Sequence, residues 1–494
     1  MLFNSFAFLI FFPIAALLFY IIPHKFRWIV LLIASYYFYM SWDVYLVFLI
    51  LGTTVLSYVA GLLIEKTNRK IIKKTAMIVA VAGSLTVLFF FKYFDFLSLS
   101  ISSALRKFGL PANDFTFNLI LPVGISFYTF QTLSYVIDVY KGKISAERHF
   151  GYYAVFVSFF PQLVAGPIER PENLLPQLKT KQTLRSENLF IGIKFMVVGF
   201  FKKVVIADTV GIAVNAVYNN PSDSNGFGVL LATVLFAVQI LCDFDGYTNI
   251  AIGAAKMFGY DLMQNFKNPY SARSIKEFWG RWHISLSTWF RDYVYIPLGG
   301  NRCKKARHLF NLFATFVLSG LWHGANWTFV VWGALHGFYQ IVGNLTGNFR
   351  KRIREKTGME NSAILPLLQK FITFVLVCFA WIFFRANSIG DSGILLQKLF
   401  TDWSFSFSYV ERTFDILSLN GTSFMFIIAC IALLYLVSKN IDKLEIMRRP
   451  DATYVSQGEY GAFTYMLLVA ITAIVWAYMA SQTGFSNSFI YFQF

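Results

Sequence analysis

Uncharged apolar runs alternate with short basic clusters along the whole chain, and the length of the runs predicts what they form. Leu2 to Ile22, Thr75 to Phe91, Leu419 to Ser438 and Gly461 to Ala480 contain no Asp, Glu, Lys or Arg. A helix crossing the hydrocarbon core of a bilayer needs about 20 such residues. Less uniform segments, Trp28 to Met40, Val44 to Ile64, Leu119 to Tyr140, Leu189 to Val217, Phe227 to Phe258, Leu309 to Val342 and Leu365 to Phe384, carry a few polar positions each. Together they predict an all-α, polytopic integral membrane protein with about ten to twelve crossings at that length per span. No Pro-, Gly- or Ser-rich linker and no extended hydrophilic module interrupts the pattern, so residues 1–494 read as one integral domain with its motif-bearing core over residues 119–346. The first run has no Lys or Arg before Lys25 and no small-residue cleavage pattern behind it, which predicts a retained anchor and not a cleaved secretion signal.

Composition agrees with this picture: 56% of residues are hydrophobic and 19% aromatic against 14% charged, too apolar for a water-soluble domain. A formal net charge of +17 would suggest nucleic acid in a soluble protein, but its distribution points to the bilayer. Much of it sits in His24 to Arg27, Lys66 to Lys74, Lys179 to Arg185, Arg302 to His308, Phe349 to Lys356 and Lys439 to Arg449, as in cytoplasmic loops facing anionic lipid. The first two clusters place the N-terminus outside. The last predicts that the final helix carries the C-terminal FIYFQF back out. Cys242, Cys303, Cys378 and Cys430 are scattered without a CxxC pair, supporting neither a disulfide framework nor a metal site. GxSxG, GxxxxGK[ST], HExxH and GxGxxG are all absent.

Candidate chemistry lies in polar residues embedded in the middle of the chain. Asp243 and Asp245, in CDFDGYTN, end an otherwise uncharged run. Two positions apart on a helix, they point in different directions and do not form a shared-proton pair. One is expected to pair with Arg281 or Lys256 while the other faces water. The string Glu277 to Tyr293 interleaves Trp279, Trp282 and Trp289 with Arg281, His283 and Arg291. It cannot span lipid, yet it suits an interfacial helix or the wall of a cavity, where arginines would meet the phosphates of an acyl donor. His323, in SGLWHGANW, has no charged residue near it in sequence, and an ionisable group in such a setting is a functional candidate. Read as one helix, the stretch puts Asn326 on the face of His323. On the same assumption His336, thirteen residues on, falls on roughly the opposite face at about 100° per residue.

The strings LPVGISFYTFQTLSYVIDVY from Leu121, FFPQLVAGPIERPENLLPQL from Phe159, GFFKKVVIAD from Gly199, CDFDGYTNIAIG from Cys242, FWGRWHISLSTWFRDYVYIPLGGNR from Phe278 and SGLWHGANW from Ser319 resemble the membrane-bound O-acyltransferase superfamily. Within it they look most like the bacterial alginate O-acetyltransferase branch. The resemblance implies a helical ring around a central cavity, with interfacial and re-entrant helices, a cytoplasmic opening for an acyl thioester and an opening on the other face for the acceptor. The superfamily's essential histidine falls on His323 and its upstream histidine on His283. Gly280 departs from the basic or bulky residue expected there, and Asp245 stands where the branch often has Ser, so Asp245 is a poor candidate for essential chemistry. The resemblance also implies acetyl-CoA as donor substrate with no tightly bound cofactor, a multi-pass place in a bacterial cell membrane, and a secreted or anchored acetyltransferase partner.

The residues say what such a site would do. A thioester carbonyl is already activated, so the enzyme needs a base for the acceptor hydroxyl and a dipole for the developing oxyanion. Burial penalises a charged imidazole, and the neutral ring is the form a general base starts from. The expected roles are His323 as base, His283 or Asn326 as its orienting group or oxyanion donor, and Arg281, Trp282, Arg291 and Trp322 as donor contacts. D-alanyl transfer from a carrier-protein thioester is the alternative chemistry. A transporter would predict internal repeats, and none is evident.

Overall fold

The computed structural model describes residues 1–164, 166–358, 362–447 and 459–481, and every regular element among them is helical. The C-terminal FIYFQF and the side chains of the Lys439 to Arg449 cluster lie outside the described residues. The chain forms two compact units, residues 1–196 with 250–263 and residues 197–249 with 264–494.

The first unit holds α1 (Phe6–Ile21), α2 (Arg27–Met40), α3 (Val47–Lys66), α4 (Lys70–Leu88), α5 (Phe94–Lys107), α6 (Ile125–Tyr140), α7 (Phe150–Ser158), α8 (Phe160–Leu163) and α9 (Pro171–Lys179). Small residues let its helices close up. At Gly61 of α3 a Cβ would lie 2.7 Å from the hydroxyl of Tyr135 on α6. That hydroxyl accepts from the Glu147 amide at 2.9 Å, while Tyr153 donates to Ser57 Oγ at 2.6 Å, so these buried polar groups are satisfied within the unit. Glu169 of the GPIERP string is fully buried, and its carboxylate accepts from the Met263 amide and from Asn173 Nδ2. This motif therefore staples the 261–263 loop in place. Ile10, Ile14, Leu17 and Ile21 of α1 are exposed, an apolar outer surface suited to lipid as solvent.

Residues of α10 (Ser186–Phe200) and of α12 (Gly226–Met257) are divided between the two units; between these helices run a π-helical stretch, Phe201–Ala207, and α11 (Asp208–Tyr218). The second unit continues with α13 (Ile275–Trp279), α14 (Ile284–Phe290), a π stretch at Arg291–Tyr295, α15 (Lys305–His323), α16 (Trp327–Leu345), α17 (Gly347–Thr357) and α18 (Ile364–Arg385). It ends with α19 (Ile389–Thr401), α20 (Phe407–Ile416), α21 (Gly421–Met447) and α22 (Glu459–Ser481).

Four helical stretches among the described residues are long and apolar enough to cross a bilayer: Val44–Lys66, Lys70–Lys107, Gly226–Met257 and Ile364–Arg385. The bent pair Phe407–Ile416 and Gly421–Leu436 makes up to five. This is fewer than the ten to twelve crossings expected, and the reasons are local. The helix α1 has 16 residues with Pro13 inside. Leu119 to Tyr140 becomes helical only at Ile125, after Gly124 with φ 75°. Leu189 to Val217 is interrupted by a π stretch containing Lys202 and Lys203.

Leu309 to Val342 is not one segment but a hairpin. The helix α15 stops at His323 because Gly324 is extended, φ −163° and ψ 151°, and Asn326 caps α16 by accepting from the Thr328 amide at 3.0 Å. The two helices press backbone to backbone: a Cβ on Gly320 would lie 2.2 Å from the Phe329 carbonyl oxygen, and one on Gly333 2.4 Å from that of Phe316. Gly320→Leu should therefore cost more than the ~1–3 kcal/mol of ordinary overpacking, because the obstacle is backbone. The expected result is a collapse in monodisperse, detergent-extracted protein. Gly52→Leu, with nothing within 4 Å of its Cβ position, is the control, and equal yields from the two variants would refute the close-approach argument.

Candidate active site

Residues 264–301 carry His283 into the second unit on short turns. His283 precedes α14 in the left-handed region, φ 43° and ψ 54°, a conformation that costs a non-glycine residue about 1–3 kcal/mol and persists only where surroundings hold it. Asn265 does the holding. Its carbonyl accepts from the Ile284 amide at 2.9 Å; its side-chain oxygen accepts from Ser285 Oγ at 2.6 Å and its amide donates to Thr248 Oγ1 at 3.3 Å. The His283 ring lies edge-on to Phe244 with centroids 4.6 Å apart. It is fully buried, and neither ring nitrogen has a hydrogen-bond partner among the described residues.

The second histidine comes from the hairpin. His323, the last residue of α15, has its ring 5.0 Å from Trp322, 5.0 Å from Trp332 of α16, 5.3 Å from Phe384 of α18 and 6.4 Å from His283. Trp322 also faces His283, at 5.9 Å. Two imidazoles thus share one aromatic shell.

Burial holds the His283 imidazole well below the usual histidine range, at about 3. It is therefore neutral at physiological pH and can donate one N–H. A histidine depressed in the folded state contributes stability that is complete above its unfolded value of about 6.5 and is lost as pH falls from there towards the folded value. His283→Asn, which tolerates the left-handed backbone, should remove this dependence. Between pH 7.5 and 4.5 the melting temperature of the unmodified protein should fall more steeply than that of the variant; parallel curves would disprove the burial effect.

Other expected site residues are distributed differently. Trp282 is buried against Phe266 and Trp381, with ring centroids 5.0 and 5.1 Å away. Trp381 in turn stacks on Trp332 at 5.8 Å, so Trp282 belongs to the same aromatic assembly. Arg281 is tied to Glu277 at 2.7 Å and to Ser271 at 2.8 Å. Arg291 is 59% exposed and pairs with Asp292 at 2.8 Å. Asn326 does not share a helix face with His323; a helix end separates them. His336 was placed away from the site by the single-helix assumption, yet its ring lies 5.0 Å from Trp332, the ring that also meets His323. His336 Nδ1 accepts from Trp279 Nε1 at 3.2 Å.

The acids of α12 also differ from expectation. Arg281 and Lys256 are not their partners, since Lys256 pairs with Asp261 at 2.9 Å. Lys203 bridges Asp243 and Asp208, each at 2.7 Å, and Lys202 pairs with Asp245 at 2.5 Å. The readable signal was two lysines in one apolar run and two aspartates in another, since buried charges need partners. No group of three or more His, Cys, Asp or Glu suited to a metal occurs among the described residues.

A family model described as MBOAT, membrane-bound O-acyltransferase family, matches residues 144–385. Over 82% of this chain and 77% of the relative, the sequence is 39% identical to a probable alginate O-acetylase of Pseudomonas syringae pv. tomato. A peptidoglycan O-acetyltransferase of Helicobacter pylori is 35% identical over 75% of this chain and 73% of its own length. A teichoic acid D-alanyltransferase of Bacillus subtilis is 29% identical over 55% of this chain and 70% of its own.

Proposed function

The chain belongs to the membrane-bound O-acyltransferase family, and from that premise we propose that it moves acetyl groups from cytoplasmic acetyl-CoA across the bacterial cell membrane for O-acetylation of an exported polysaccharide. Membership makes it an acyltransferase that crosses its membrane more than once. The observation that carries the finer reading is the pair of imidazoles 6.4 Å apart in an aromatic shell. The names of the O-acetylase relatives support acetyl as the group moved.

In this reading an acceptor hydroxyl reaches His323, which takes its proton as the oxygen attacks the thioester carbonyl. The carbonyl electron pair moves to oxygen, and the N–H of neutral His283 meets the oxyanion. Collapse forms the ester, breaks the carbon–sulfur bond and returns the proton from His323 to the CoA thiolate. No covalent enzyme intermediate is needed. Lys304, Lys305 and Arg307 at the start of α15 and the basic α17 after α16 mark the cytoplasmic end of the hairpin by the positive-inside rule. The exposed Arg291 lies on the segment leading to that end and is the better contact for donor phosphates; Arg281 is already engaged with Glu277. Trp322 and Trp282 line the acyl path, within a helical ring around a central cavity. A secreted or anchored acetyltransferase completes delivery to the polymer.

Donor identity tests the proposal. Protein in lipid nanodiscs, supplied with a polysaccharide and the secreted or anchored partner that delivers to it, should cleave acetyl-CoA and leave a D-alanyl carrier-protein thioester intact. The opposite selectivity would overturn the donor assignment in favour of the chemistry named for the teichoic acid relative.

A further inference from the structure

His336 takes no part in the proposed transfer, yet it holds an open donor beside the site. It is fully buried on α16, with the rings of Trp279, Trp332 and Tyr339 centred 5.1, 5.0 and 5.7 Å from its own. An indole N–H can only donate, so the 3.2 Å contact from Trp279 Nε1 makes His336 Nδ1 an acceptor. A ring that accepts at Nδ1 carries its proton on Nε2. That Nε2–H has no acceptor among the described residues. Trp332 lies one turn earlier on the same face of α16. It is also fully buried, and its Nε1–H lacks an acceptor in the same way.

Buried donors are ordinarily paired, and two left open side by side destabilise the fold until an acceptor arrives. Their position says which acceptor. Trp332 also meets His323 at 5.0 Å, so the order along α16 is the proposed base, Trp332, His336 and then the half-buried Tyr339. This line runs towards the end that the basic α17 marks as cytoplasmic. A thioester threaded along it, with its acyl group at His323, lays its pantetheine arm beside both donors. That arm carries two amide carbonyls joined through one β-alanine unit. An α-amino residue spans about 3.5 Å when extended, and one further methylene brings β-alanine to about 5 Å, comparable with the 5.0 Å between the two rings. Amide carbonyls stripped of water need donors, and here there is one for each.

We infer that Trp332 and His336 hold the pantetheine arm of the donor, Trp332 Nε1–H at the amide nearer the thioester and His336 Nε2–H at the other. The two hydrogen bonds set the depth at which the acyl carbon meets His323, and Trp279 fixes the tautomer that makes the second one possible. This rests on the proposed thioester chemistry, and the arm itself is common to free CoA and to an acylated carrier protein.

The test is calorimetric binding to the full chain in nanodiscs, without turnover. One probe is acetonyl-CoA, an inert thioether with a methylene between sulfur and the acetyl group; the other is adenosine 3′,5′-bisphosphate, the donor nucleotide without the arm. His336→Phe keeps a ring and removes both nitrogens. It should weaken acetonyl-CoA about tenfold, the usual loss for one buried hydrogen bond, and leave nucleotide binding unchanged. Trp332→Phe should do the same, which keeps the inference testable should the first variant fail to fold. His336→Gln, able to accept from Trp279 and to donate from its own amide, should recover most of the loss. Rings that only pack predict acetonyl-CoA affinity unchanged in both phenylalanine variants, or a loss shared equally by the nucleotide; either result overturns the inference. A third probe, acetonyl-phosphopantetheine attached to a carrier protein, separates the two sources of the arm. Binding of that probe alone, weakened tenfold by both phenylalanine variants, would undo the assignment of free acetyl-CoA and leave this inference standing. Binding of neither arm-bearing probe to the unmodified protein would overturn it.

Discussion

His323→Ala is expected to lower acetyl transfer from acetyl-CoA by about 10²- to 10⁴-fold, the usual contribution of a positioned general base. The side chain also fills space among Trp322, Trp332 and Phe384, so the alanine variant loses packing as well as the proposed base. His323→Gln, which is closer in volume, separates the two effects: it should restore most of the thermal stability and none of the rate. Thioester cleavage and product ester are both measured, on protein shown to be inserted and monodisperse. Full activity in either variant would remove His323 from the chemistry. Recovery of activity in glutamine alone would make it a packing residue.

The second large effect concerns Lys203. Its ammonium is 1% exposed and bridges Asp208 and Asp243, themselves 9% and 2% exposed. Removing the cation from such a site strands two carboxylates where water does not reach, and breaking a buried pair typically costs about 3–5 kcal/mol. Lys203→Met should therefore prevent accumulation of folded protein. Adding Asp208→Asn and Asp243→Asn should recover much of the loss, because neutral groups of similar shape carry no stranded charge. Normal melting of the single variant would show that the triad contributes nothing to stability. No rescue by the triple variant would show that Lys203 acts through something other than these acids.

Much of the helical frame was legible in the sequence. Val44 to Ile64 and Phe227 to Phe258 match observed helices at Val44–Lys66 and Gly226–Met257, because unbroken apolar runs leave the backbone no partner but itself. His323 and His283 were legible as candidates because polar residues amid aromatic sequence are unusual, and the structure brings them into one shell. The hairpin was not legible as such, since its turn spans only Gly324, Ala325 and Asn326. Glycine and asparagine are helix-end residues, but they sit in a run long enough to read as one span. That single error misplaced both Asn326 and His336. The acids of α12 were misassigned for a different reason: their lysines lie about forty positions upstream, and pairing over that distance depends on tertiary packing, which no local pattern encodes.

The π stretch at Phe201–Ala207 has a consequence for how this protein can change over time. A wider turn absorbs one residue more than an α-turn, and each residue rotates a helix by about 100°. Lys202 and Lys203, neighbours that a regular helix would aim apart, both reach acids of α12 from within it. Deleting one residue here would turn the stretch back into ordinary helix and swing one lysine away from its acid without altering any side chain. The segment is thus vulnerable to a shift in reading register along the backbone more than to exchange of its apolar residues. A scan of substitutions would undercount what these seven residues contribute.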